Sequence, residues 1–200
     1  MSLDVPGRLL GTASVLAVLP GVAAAQTVGP SLVTDASMLA RVAGSFVLVL
    51  LFGWVLLTLS EEFVDHAVAL STASPAKSIV YGLVALIIVV FFGLYIITQL
   101  SQVSAPAVDV VTVALGVLLL TLTSFGFTVV GVKLTEVAGE RRHRLGVAVG
   151  AAISGVVWLV PVFPLALAVW LLVASFGVGG PTEEWLHAAR DVDIDPDADA

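Results

Sequence analysis

Four runs of this chain carry no ionisable side chain: residues 42–60, 78–108, 110–132 and 145–182 contain no Asp, Glu, Lys, Arg or His. Crossing a bilayer takes roughly 20 apolar residues at 1.5 Å rise each, so the first and third runs each suit one helical span. The alternating apolar and polar pattern of a membrane β-barrel is missing from the sequence. The pattern predicts an all-α, polytopic membrane helical bundle of about four transmembrane helices after an N-terminal signal peptide.

At the N-terminus, Arg8 precedes an apolar run over 9–25, broken by Pro20-Gly21 and closing on Ala23-Ala24-Ala25. One cation, a short apolar core and small residues at its end describe a secretory signal, cleaved after Ala25 or kept as an anchor. Residues 26–37 are polar and turn-rich and read as an exposed linker, and 38–177 as the transmembrane domain. Within that domain the first span covers 38–60. The second opens near Ser78, after Pro75 and Lys77, and fades into the polar stretch 98–102. Ser104-Ala105-Pro106 makes a turn, the third span occupies 108–132, and 133–144 is a charged loop. The fourth segment, 145–176, would measure about 48 Å as one helix against a hydrocarbon core of roughly 30 Å. Pro161 and Pro164 stand at its middle, where each removes a helical N–H and invites a kink. We expect a single kinked crossing that carries the tail to the far side. A re-entrant hairpin, which would return the tail, is the alternative.

Charge placement sets the expected orientation. Lys77, Lys133, Arg141, Arg142 and Arg144 fall in the loops after the first and third spans, and the loop 101–109 has no Lys or Arg. Basic residues collect on the cytoplasmic side. The mature N-terminus is therefore expected outside, the basic loops inside and the tail outside; a signal peptide leads to the same N-terminal placement. At 59% hydrophobic and 12% charged residues, with a mean hydropathy of +1.12, the chain has too little polar surface to cover itself in water. It has no Cys, which removes disulfides, thiolate metal sites and cysteine nucleophiles together. The net charge of −7 gathers in 178–200, read as an acidic and mostly disordered tail: seven of the fifteen acids lie beyond Pro181, against Arg190 alone. Such a tail repels nucleic acid, and no nucleic-acid partner is expected.

Candidate chemistry is sparse. Glu62 and His66, like Glu61 and Asp65, are i, i+4 neighbours on a helix and could present carboxylates and imidazole together. They lack the second His of a His-Glu-x-x-His zinc pattern, so a solvated helix end is the simpler reading, and no metal or other cofactor is expected. Lys133, Arg141, Arg142 and Arg144 fix topology and could contact lipid headgroups or a partner. Gly146, Gly150 and Ser154 repeat every fourth residue, and Ala151–Gly155 repeats that spacing one step round. Thr121, Ser124 and Thr128 share a face of the third span. Small residues let backbones approach and hydroxyls can bond across helices, so these positions read as helix packing, within one bundle or between copies. The alternating Asp191 to Asp199 opens as calcium loops do, but Pro196 stands where the turn glycine belongs and no terminal Glu follows. No acid, base or His lies inside the four apolar runs, where proton pumps and transporters keep theirs.

The segments Ser78-Ile79-Val80-Tyr81-Gly82, Leu145-Gly146-Val147-Ala148-Val149-Gly150, Leu159-Val160-Pro161-Val162-Phe163-Pro164 and Phe176-Gly177-Val178-Gly179-Gly180 occur in that order. In this order the chain resembles the membrane region of prokaryotic polymer-forming, bactofilin-type proteins. The β-helical polymerising module of those proteins is not here, so the resemblance implies membrane anchoring of an assembly through a partner chain, not filament formation. The sequence thus leads us to expect a non-catalytic scaffold or anchoring subunit whose partners are membrane lipids and a second copy or another membrane-associated protein. A small channel or transporter for a neutral solute, lined by Thr121, Ser124, Thr128, Gly150 and Ser154, is the alternative. A metal-dependent enzyme using Glu62, Asp65 and His66 ranks third.

Overall fold

A computed structural model of the chain describes residues 37–102, 105–139 and 142–191. The expected signal peptide, the linker up to residue 36, Ser104, Glu140, Arg141 and the final aspartates from Asp193 lie outside the described residues. Six α-helices follow one another: α1 Met38–Leu59, α2 Glu61–Ala73, α3 Pro75–Leu100, α4 Ala105–Val137, α5 His143–Val157 and α6 Phe163–Asp191. No strand occurs among the described residues. Four stretches are long and apolar enough to cross a membrane: Met38–Leu59, Pro75–Leu100, Pro106–Val137 and Phe163–Ala188. The all-α bundle with about four spanning helices is what forms.

Local chemistry sets the boundaries. Ser60 leaves the helical region and its hydroxyl accepts the Phe63 N–H at 3.2 Å, so α1 stops and α2 restarts under a serine cap, with Glu61 and Glu62 in the first turn where the helix dipole favours acids. Pro75 opens α3 at a position whose N–H has no helical acceptor anyway. After α4 the chain turns at Gly139 with φ +123°, a conformation that only glycine adopts without strain.

The fourth segment departs from the expected single kinked crossing. Residues 158–162 break it into α5, of 15 residues, and α6, of 29. Trp158, Leu159 and Val160 donate their N–H groups to Gly155, Val156 and Val157, which closes the break as a tight turn. Pro161 lies within it with no N–H left to satisfy, and Pro164 sits in the first turn of α6. The prolines therefore mark a turn and a helix start instead of a kink. The segment thus makes two passes through the bundle. The second pass gains its length because α6 runs on through Gly177-Val178-Gly179-Gly180-Pro181, expected to end the helix and begin a disordered tail, to Asp191. The first pass is short, about 22 Å, and is sheltered by protein, with Gly146, Val147, Gly150, Ala151, Ser154, Gly155 and Val157 buried.

Helices α3 and α6 run antiparallel in backbone contact, with Gly82 against Ser175 and Gly179 against Ser78. Helix α5 is wedged between α1 and α4: Gly146 meets Val132, Gly150 meets Phe127, and Gly155 meets Val42. Leu57, Val64, Val68, Phe125, Val129, Val132, Val147 and Val178 make the main apolar core, joining α1, α2, α4, α5 and α6. Because α6 runs back along α3, its C-terminal end lies beside α2 and the start of α3. The end of α6 is thus on the same side as the loops holding Lys77, Lys133 and Arg142, not opposite them as expected from the sequence.

Candidate functional site at the charged end of the bundle

One end of the bundle collects nearly every charged group that the structure describes. Helix α2, the first turn of α3, the end of α4, the start of α5 and the end of α6 meet there, and they bring all three histidines of the chain with them. Asp65 and His66 are consecutive on α2 and turn to different partners. Asp65 Oδ1 is 2.7 Å from His143 Nε2 at the head of α5, and His66 Nε2 is 2.8 Å from Glu184 Oε2 on α6. Glu183, whose side chain is only 18% exposed, accepts from Ser74 Oγ at 3.0 Å and stands 3.6 Å from Lys77 Nζ. His187 Nδ1 lies 2.7 Å from the Glu183 carbonyl, and its ring meets Tyr81 edge-on. Ser74, Lys77, Gly180, Glu183, Glu184 and His187, with Leu70 and Ala73, line an open pocket of about 390 Å³.

Acids and bases here consume one another. Lys77 is 68% exposed and His66 about half exposed, so each pair is worth about 1 kcal/mol or less. Together they tie α2 to both α5 and α6 and fix the register of that end. Among the described residues no group of three or more His, Asp or Glu could hold a metal ion. Glu62, Asp65 and His66 do not converge, because Asp65 and His66 are drawn to opposite neighbours.

The basic residues are used unequally. Lys133 pairs with Glu136 at 3.1 Å on the same helix. Arg144 places its guanidinium 5.8 Å from the Trp54 ring centroid, and Arg142 caps α5 with its backbone N–H donated to Thr135 Oγ1 at 3.4 Å. Arg142 and Arg144 are both exposed. Arg141 lies outside the described residues.

Of the packing residues of the sequence reading, Ser124, Thr128, Gly146, Gly150, Ser154 and Gly155 are buried and Thr121 is half-buried. A Cβ on Gly150 would stand 2.2 Å from the Phe127 carbonyl oxygen, so α4 and α5 touch backbone to backbone. Thr121 and Thr128 donate to the carbonyls of Val117 and Ser124 in their own helix, and the buried Ser124 hydroxyl has no partner. Of the hydroxyls singled out, that of Ser154 does bond between helices: it pairs with Ser45 on α1, and Trp170 Nε1 on α6 donates to both, at 3.2 Å to Ser45 and 3.0 Å to Ser154. Sequence reasoning missed Ser45 and Trp170, whose neighbours in the chain are all apolar. It also missed the glycines of the other helices, Gly53, Gly82, Gly126 and Gly131, each of which meets a neighbouring helix. A search for small residues recurring along α4 would have found the last two.

An all-helical bundle with four membrane-length helices and its charge gathered at one end is a multi-pass membrane protein. Within that class the chain belongs to the family described as Domain of unknown function (DUF8173), which matches residues 5–184. No curated protein and no solved structure matches it.

Proposed function

We propose that this chain is a non-catalytic membrane scaffold or anchoring subunit that docks a partner at its charged end. The carrying observation is the gathering of charged side chains at one end of a bundle whose helices touch backbone to backbone. By the preference of basic loops for the cytoplasm, that end faces the cell interior. Arg142 and Arg144 present two exposed cations there, at the head of α5, and the docked partner is a second copy or another membrane-associated protein. The bactofilin-type resemblance suggests what is anchored: an assembly built by a partner chain. A solute path along Thr121, Ser124, Thr128, Gly150 and Ser154 would need α4 and α5 to part, because Gly150 already abuts the Phe127 backbone.

The test is photo-crosslinking in native membranes from a probe at position 142, in the wild-type background and with Arg144→Glu. Docking through this surface gives a discrete protein adduct that the charge reversal weakens. An adduct pattern identical in both backgrounds rejects the docking surface. Ion or neutral-solute flux through reconstituted vesicles would turn the reading toward a channel.

A further inference from the structure

The opposite end of the bundle holds one cation whose needs nothing described in the protein meets. Arg41 stands in the first turn of α1, and it and Asp109 are the only charged side chains described away from the charged end. No ion pair joins the two. The Arg41 guanidinium lies over the Phe163 ring at the start of α6, with Cζ 5.8 Å from the ring centroid. Its Nε is buried without a hydrogen-bond partner, and no carboxylate or other acceptor meets the group among the described residues. A guanidinium brings five donors in a rigid fork. Leaving them empty at the edge of a hydrocarbon layer is unfavourable, since a charge there needs a counter-ion or water. The placement also fixes the geometry of whatever answers it. Phe163 occupies one side of the guanidinium, which leaves the fork edge of two parallel N–H groups to suit a phosphate or carboxylate.

We propose that Arg41 holds the phosphate of a membrane phospholipid, with Phe163 as the platform beneath the guanidinium. The chemistry required is a phosphate oxyanion. A lipid is the source that the position favours, because the α1 terminus begins where a membrane-spanning helix meets the headgroup layer and the side chain stands one helical turn inside it. The site is separate from the charged end and does not depend on the scaffold reading.

The experiment is native mass spectrometry of the purified protein from detergent micelles doped with phosphatidylglycerol. Wild type, Arg41→Gln, Arg41→Lys and Phe163→Leu are compared with an Arg142→Gln/Arg144→Gln control. Retained phosphatidylglycerol is expected to fall about tenfold in Arg41→Gln, as expected for losing a charge-assisted bidentate pair. Arg41→Lys keeps the charge but loses the fork and should fall between, and Phe163→Leu should lose lipid severalfold. Should Arg41→Gln not fold, the Lys and Leu variants carry the comparison. The proposal is overturned if Arg41 variants retain lipid like the wild type, or if only the Arg142/Arg144 control loses it. It is also overturned if millimolar inorganic phosphate displaces the lipid and raises the melting temperature as much, which would make the site one for a soluble anion.

Discussion

Replacing Gly150 by alanine adds one methyl group at a place with no room for it. The new Cβ would lie 2.2 Å from the Phe127 carbonyl oxygen, 2.8 Å from its carbon and 3.3 Å from the Thr128 nitrogen. Ordinary non-bonded carbon contacts sit near 3.5–4.0 Å, so α4 and α5 must separate by roughly 1 Å along this line. The obstacle is main chain in the middle of a helix and has no rotamer to move into. Parting the helices also loosens Gly146 on Val132 and Gly131 on Gly146, which share the same interface. Overpacking costs about 1–3 kcal/mol in well-packed cores, and a backbone obstacle belongs at the upper end of that range. A penalty of 2 kcal/mol corresponds to a fall in melting temperature of roughly 4–8 °C for a domain of this size. Gly44 provides the control, since nothing lies within 4 Å of its added Cβ. Gly44→Ala should leave stability unchanged or slightly raised, because alanine is the better helix former. The assay is thermal or sodium dodecyl sulfate unfolding of the purified protein in mild detergent, followed by circular dichroism. If Gly150→Ala proves as stable as Gly44→Ala, α4 and α5 are not in backbone contact and the account of the bundle interior is wrong.

Ser154→Ala removes an acceptor of Trp170 and the partner of Ser45. It should cost about 0.6 kcal/mol, the average for side-chain hydrogen bonds between membrane helices, and at most roughly 1.7, and a double-mutant cycle with Trp170→Phe should show coupling. Pro161→Ala and Pro164→Ala should each change stability by less than about 0.5 kcal/mol, since one lies in a turn and the other in a first helical turn; a large loss measured for either by the same unfolding assay would count against the broken helix. Glu183→Gln should weaken the tie to Lys77 by no more than about 1 kcal/mol, because Lys77 is 68% exposed, and the effect should shrink in high salt. The chain has no native cysteine, so single cysteines at Ala73, Gly139 and Ala188 can be labelled cleanly. All three should react with an impermeant reagent from one side of the membrane, and a cysteine at Gln102 from the other.

What the sequence made legible is what hydropathy measures, the exposure of a helix to lipid. Helices α1, α3 and α4 were readable because their sides face the bilayer and had to be apolar for 20 or more residues. The short α5 was not separable from α6 by that criterion. After His143 and Arg144, residues 145–150 alternate leucine and valine with glycine and alanine, and the helix is covered by α1 and α4, so neither its length nor its composition had to satisfy a membrane. Gly177, Gly179 and Gly180 misled for a related reason. Glycine commonly terminates helices in water, but here these residues press against Gly126, Ser78 and Ser71 and are required inside the helix. The ties at the charged end stayed hidden because they join residues more than 70 positions apart, such as Asp65 with His143 and His66 with Glu184. Single-chain patterns contain only local neighbours, and at i, i+4 they set Glu62 beside His66.

The break at 158–162 also bears on function through parity. Had the 145–176 segment crossed once, the acidic end of the chain and the basic loops would stand on opposite faces, each with its own field. With α5 and α6 forming two passes, Glu183 and Glu184 return to the face that holds Lys77, His66 and His143. Charges within a Debye length of about 8 Å then compensate one another at physiological salt. Arg142 and Arg144 stand exposed on the same face, at the head of α5. On this face the described acids are drawn to His and Lys, and the cationic head of Arg144 stands exposed on α5. For the docking proposed above, this arrangement favours an acidic partner surface at α5 and disfavours one at the end of α6. That asymmetry fixes how a docked partner would be oriented on a bundle whose remaining sides are sheathed in lipid.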